Sequence, residues 1–178
     1  MPGTEEWVRN LGSLPLIAQP GERWMYNVSA DVLGVLIARV SGQSLGEFMR
    51  ERIFDPLGMK DTAFHAPSEK IERLPACYFF DRPRNRLDLF DGVEDSAWGR
   101  EPPFESGAGG LVSTIDDYFA FCRMMLNEGR HGREQVLSRA SVQLMTSDQL
   151  TPEQRSGSVD SVGTAASAPR HTPIRGRQ

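Results

Sequence analysis

Tyr26 is the residue best placed to do chemistry. It closes the loop QPGERWMY, Gln19 to Tyr26, in which Pro20-Gly21 marks a turn and Trp24 and Met25 are large enough to fix the loop against a core. Ser29 is of the type that caps a helix, and the run after it is apolar. Tyr26 is therefore expected just outside a helix N-terminus. Free amides and the positive end of the helix dipole there favour a phenolate over a phenol, which suits a tyrosine asked to take a proton. A tyrosine whose hydroxyl is simply satisfied by backbone is the plainer alternative that the residues alone leave open.

The second candidate is SGAGGLVSTIDD, Ser106 to Asp117. Glycines this dense let a backbone approach something closely, which makes Gly109 and Gly110 a candidate wall of a ligand site. A phosphate cradle is the weaker reading. The segment lacks the Lys-Ser/Thr of a P-loop, and Asp116 and Asp117 in the first turn of the following helix would repel an anion. His65 and His131 have no partner at metal-ligand spacing, so no metal site is expected. Cys77 and Cys122 read as small core residues, and Glu5, Glu6, Asp81, Asp91 and Asp95 as solvated acids rather than a catalytic pair.

The elements that must position these residues follow from periodicity and caps. Trp7 and Leu11 suggest a short helix, and Leu14, Leu16 and Ile17 an apolar loop packed under the Tyr26 turn. Val32, Leu33, Val35, Leu36 and Val40 predict a helix buried over a wide arc and closed by Gly42. Ser44-Leu45-Gly46-Glu47 is a capping box opening a second helix with the face Leu45, Phe48, Met49 and Ile53, which Pro56 should stop. Residues 76–80 and 86–90 predict a hairpin around Arg82-Pro83-Arg84-Asn85. Ser113-Thr114 should cap a core helix whose buried face is Ile115, Tyr118, Phe119, Cys122, Met125 and Leu126, ended by Gly129. Ser138 should cap a shorter helix with Val142, Leu144 and Met145, and Thr151-Pro152 should start another.

Three stretches carry a resemblance. The tyrosine loop, IFDPLGMKDTAF (Ile53 to Phe64) and SGAGGLVSTIDDYFAFCRMMLNEG (Ser106 to Gly129) resemble serine hydrolases of the β-lactamase-like superfamily, which holds class C β-lactamases, penicillin-binding proteins and related esterases. The family carries Tyr-x-Asn, or in the esterase branch a looser Tyr-x-x. Here the third position is Val28 and Asn27 comes one residue early, which favours the esterase-like branch. The resemblance implies an α+β fold, of which residues 1–155 would be the mostly helical central part with a small hairpin. It also implies ester or amide hydrolysis through a Ser/Lys/Tyr acyl-enzyme, with Tyr26 as acid/base, Gly109 and Gly110 on the cleft wall, and neither metal nor organic cofactor.

That chemistry needs Ser-x-x-Lys, so that hydroxyl and amine face each other on successive helical turns. No serine of this sequence has a lysine three residues on; the lysines are Lys60 and Lys70, and Ser68-Glu69-Lys70 has the wrong spacing. There is no Gly-x-Ser-x-Gly elbow, and His171-Thr172-Pro173 cannot act as a His-Thr-Gly strand because proline lacks the strand amide. The expectation is a piece of a longer enzyme, inactive alone, or else a remnant or binding module using the same half-cleft. An exposed surface where the sheet domain should dock would promote association.

The totals suit one domain or two small ones. The chain has 178 residues, 20 Lys plus Arg against 24 Asp plus Glu and a net charge of −4, without a basic run, which argues against nucleic acid and acidic membranes as partners. No apolar run approaches the roughly 18 residues of a spanning helix. Met1 is followed by polar residues, so the chain as given is expected in the cytoplasm. Residues 156–178, rich in Ser, Gly, Ala and Arg, are expected to be disordered, a composition that a shifted reading frame would also produce.

Overall fold

The computed structural model describes residues 3–26 and 28–156. Apart from Ser156, the tail expected to be disordered lies outside the described residues, as does Asn27. Helix α1 spans Thr4–Gly12. Helix α2 spans Val28–Ser41, and the backbone N–H of Gly42, at φ +71°, closes it on the Ala38 carbonyl. Ser29 therefore lies inside α2 and is not its cap. The axis then turns by 82° into α3, Leu45–Met49. The capping box holds as expected: Ser44 Oγ accepts from the Glu47 amide and the Glu47 carboxylate accepts from the Ser44 amide.

Pro56 does not stop this second helix. Residues Arg50–Phe54 widen into a π-turn, in which the Asp55 amide donates to the Arg50 carbonyl, and α4 follows at Asp55–Leu57. Bonding five residues back loosens the ladder where proline lacks an N–H and its ring would crowd the carbonyl four residues back. The stop is Gly58, at φ +70°, with the Met59 amide closing on the Phe54 carbonyl.

Strands β1 (Cys77–Asp81) and β2 (Arg86–Asp91) form the expected antiparallel hairpin, in register Phe80↔Leu87 and Tyr78↔Leu89, with a bulge between Cys77 and Tyr78. Asn85 takes the left-handed conformation at the turn. Helix α5, Ile115–Leu126, is capped by Thr114, whose hydroxyl accepts from the Asp117 amide. The ribbon β3 (Arg130–His131) and β4 (Glu134–Gln135) leads to α6, Arg139–Met145, capped by Ser138, and then to α7, Pro152–Ser156.

The core lies between α4 and α5: Phe54, Leu57, Met59 and Met124 are buried together, with Met49, Ile53, Ala120, Phe121, Met125, Val136 and Leu137 packed against them. The expected face of α5 is largely the wrong one. Met125 packs, but Ile115 is 89% and Leu126 83% exposed, Tyr118 and Phe119 also face solvent, and the side turned inward carries Asp117 and Met124. The helix is apolar on nearly all sides, so spacing alone could not say which side the rest of the chain covers. Helix α2 shows the same correction: Gly34 and Val35 are buried, while Val32, Leu33, Leu36 and Val40 are exposed. On α6 only Val142 of its apolar trio is buried, and Leu14, Leu16 and Ile17 are exposed rather than packed under the tyrosine turn. Trp7 of α1 is the anchor at that end, stacked on Phe104 with ring centroids 4.8 Å apart.

Candidate functional site

The tyrosine loop is built as a turn. Gly21 sits at φ +83°, a conformation that a side chain would strain, while the Glu22 amide donates to the Gln19 carbonyl (3.0 Å) and the Glu22 carboxylate accepts from the Gln19 amide (2.9 Å). Gln154 of α7 ties the turn from far along the chain, donating to the Gly21 carbonyl at 2.7 Å. Tyr26 follows, its ring 6.2 Å from that of Trp24 and tilted by 42°, and α2 begins two residues later. The tyrosine is 74% exposed. It is not a core tyrosine; it stands exposed just before α2.

The glycine-rich stretch meets the same helix end. In the first turn of α2 the Asp31 carboxylate accepts from Ser106 Oγ at 2.5 Å and from the Ala108 amide at 3.3 Å, and Ser106 Oγ also accepts from that amide at 3.1 Å. Between them Gly107 lies flat on α2. A Cβ built there would fall 2.1 Å from the Ala30 carbonyl oxygen, and one on Gly34 would fall 2.9 Å from Leu45 Cδ2 and 3.3 Å from the Gly107 Cα. Only two glycines allow this approach. Just upstream, the Glu105 carboxylate accepts from the Gly46 amide at 2.8 Å.

Beyond Ala108 the wall runs free and is then caught again. A Cβ on Gly109 would meet nothing within 4 Å. Gly110 takes φ +94°, and its carbonyl accepts from Trp98 Nε1 at 3.0 Å. Val112 then bridges Ala63 through two backbone hydrogen bonds of 2.8 and 3.2 Å. Below that bridge the buried Asp117 carboxylate accepts from the Asp61 amide and the Thr62 hydroxyl, both at 2.8 Å, and Thr62 Oγ1 lies 2.8 Å from Ser113 Oγ. Asp61 itself pairs with Lys70 (2.6 Å) and Arg73 (2.9 Å), and these hydrogen bonds, Lys70 first, hold its carboxyl below the usual carboxylate range.

Asp31 thus ties the Ser106–Ala108 stretch to the helix that follows Tyr26, and Tyr26, Gly109 and Gly110 are each on an open surface. A groove of about 430 Å³ beside Gly34, Leu45 and Glu105 and another of about 360 Å³ beside Asp61, Lys70 and Val112 are lined by other residues. Sequence reasoning missed Asp31, Ser106, Trp98 and Thr62, and read Asp117 only as a dipole partner. Ser106 and Asp31 are 75 residues apart, so no local spacing announces the pair. An acid in the first turn of a helix already has a local explanation, which concealed the distant one.

The fold is that of the β-lactamase and penicillin-binding-protein class. The chain belongs to the beta-lactamase family, whose model matches residues 1–167. It is 38% identical to Protein Rv1367c of Mycobacterium tuberculosis over 157 residues, which are 86% of this chain and 37% of that protein. It is 47% identical to the lovastatin esterase of Penicillium rubens over 150 residues, 82% of this chain and 36% of that enzyme. The octameric penicillin-binding protein homologue from Pyrococcus abyssi superposes with a TM-score of 0.63 at 25% identity, covering 84% of this chain and 32% of that one. The chain therefore spans about a third of the length of these relatives. Among the described residues no single helix is long and apolar enough to cross a membrane.

Proposed function

We propose that this chain supplies the acid/base half of an ester-hydrolysing site of the β-lactamase family, with Tyr26 as the proton-transfer residue and Gly109-Gly110 as the wall along which the acyl group lies. The observation that carries the reading is the joining of the exposed tyrosine end of α2 to the glycine-rich wall through Asp31. Likeness to the lovastatin esterase favours an ester over a lactam.

In this reading a serine hydroxyl from outside the 178 residues attacks the ester carbonyl carbon while Tyr26 Oη, as phenolate, takes its proton. The proton passes from Tyr26 to the leaving alkoxide oxygen as the C–O bond breaks, and water then hydrolyses the acyl-enzyme by the reverse route. Gly109 offers backbone without a side chain, so an acyl chain can lie against it. Since no Ser-x-x-Lys pair occurs in the sequence, the chain alone is proposed to be inactive.

The test is a hybrid in which the matched 150 residues of the Penicillium rubens esterase are replaced by the matching residues of this chain. A folded hybrid that hydrolyses p-nitrophenyl butyrate, beside an inactive isolated chain, is expected. A hybrid with the circular dichroism of the parent and no turnover contradicts the reading. A second reading, a binding module whose partner is another protein domain, is favoured by the exposed stripes Val32/Leu33/Leu36 of α2 and Tyr118/Phe119 of α5. It predicts that the isolated chain captures the remaining part of the parent esterase when the two are mixed.

A further inference from the structure

We propose that Asp31 is a positioning residue, whose carboxylate sets the spacing between Tyr26 and the Gly109-Gly110 wall. The proposal rests on the reading of Tyr26 given above. Asp31 is five residues beyond Tyr26 and within the first turn of α2, so its backbone moves with the helix end that presents the tyrosine. Its side chain reaches the wall directly, accepting from Ser106 Oγ at 2.5 Å and from the Ala108 amide at 3.3 Å, the residue before Gly109. Hydrogen bonds to an ionised acceptor are about twice as strong as neutral ones. The Gly107 backbone, pressed on Ala30 and Gly34, stops the wall from sinking further toward α2, and the carboxylate stops it from lifting away.

Downstream of Ala108 the next anchor is Trp98 on the Gly110 carbonyl, so Gly109 hangs between one support on α2 and one on the Trp98 loop. Loss of the Asp31 support therefore moves Gly109 relative to Tyr26 without touching either residue. Asp31 itself contacts neither the reacting atoms nor the acyl chain in this arrangement. A misplacement on the order of 1 Å at a reacting centre costs up to about a hundredfold in rate.

Two tryptophans report the two sides of the clamp in the full chain. Trp24 lies against Tyr26, and the indole N–H of Trp98 donates to Gly110. In ¹⁵N-labelled protein, Asp31→Ala is expected to shift both indole cross-peaks, while Asp31→Asn, which keeps an acceptor oxygen for both donors, leaves them near their wild-type positions. Ser106→Ala, which removes the 2.5 Å bond and the Ser106 acceptor of the Ala108 amide but leaves that amide its bond to Asp31, carries the test if Asp31→Ala does not fold, and is expected to shift both peaks by less. Peaks that stay in place in the alanine variants, or that move equally in Asp31→Asn, overturn the clamp.

In the hybrid esterase, Asp31→Ala is expected to lower kcat about ten- to a hundredfold with KM within twofold, and Asp31→Asn to restore most of it. If Tyr26→Phe abolishes turnover but Asp31→Ala does not change it, the positioning role is wrong and the tyrosine reading stands. If Tyr26→Phe is itself fully active, that reading falls and this proposal falls with it.

Discussion

Gly107→Ala measures how closely the glycine-rich wall is bound to α2. The added Cβ would lie 2.1 Å from the Ala30 carbonyl oxygen and 2.9 Å from its carbon, both backbone atoms that no rotamer change can move away. Reaching an ordinary contact of 3.4 Å requires the wall to lift by about 1.3 Å. Overpacking of this kind costs about 1–3 kcal/mol. A lift of that size also breaks the bonds from Ser106 and Ala108 to the Asp31 carboxylate, adding about 1.5–3 kcal/mol, while the less flexible unfolded chain returns about 0.4–1 kcal/mol. The net expectation is a loss of about 1.5–5.5 kcal/mol. Gly109→Ala is the matched control, because its Cβ meets nothing and its φ is not positive. It should be neutral or slightly stabilising. Urea unfolding followed by tryptophan fluorescence should show a lower midpoint at unchanged slope for Gly107→Ala alone. Two variants within about 0.5 kcal/mol of wild type would refute the close packing.

Other expectations follow from the polar contacts. The folded Asp61 carboxyl titrates below its unfolded value of about 3.9, so its pairing with Lys70 and Arg73 contributes stability above that pH and loses it as pH falls through the lowered folded value. Melting temperatures between pH 5 and pH 2.5 should fall more steeply for wild type than for Asp61→Asn. Asp117→Ala removes the acceptor of the Asp61 amide and the Thr62 hydroxyl and should cost about 2–3 kcal/mol in the same urea assay, with Asp117→Asn recovering part of it.

What was legible in the sequence was local. Ser44 with Glu47, Thr114, Ser138, Gly42 and the turn before Arg86 each act within a few residues, and each was found where its type and spacing put it. Pro56 misled because a π-turn, which leaves no compositional mark, relieved the clash that should have ended the helix. The faces of α2 and α5 misled for another reason. Ile115, Tyr118 and Phe119 look as much like a core stripe as Ala120, Phe121 and Met124 do, and only the placement of Phe54, Leu57 and Met59 decides between them. At the site, Tyr26, Gly109 and Gly110 were named from motif. The residues that anchor the glycine-rich stretch, Asp31, Ser106 and Trp98, belong to contacts between separate segments that no periodicity encodes.

The most direct test of the account is Tyr26→Phe in the hybrid esterase, with kcat for p-nitrophenyl butyrate measured beside the urea midpoint. Tyr26 is largely exposed, so removal of its hydroxyl should leave the midpoint unchanged. Loss of the proton-transfer group should lower kcat by about 10²–10⁴-fold. A variant of normal stability that turns over within twofold of its parent would contradict the assignment of Tyr26.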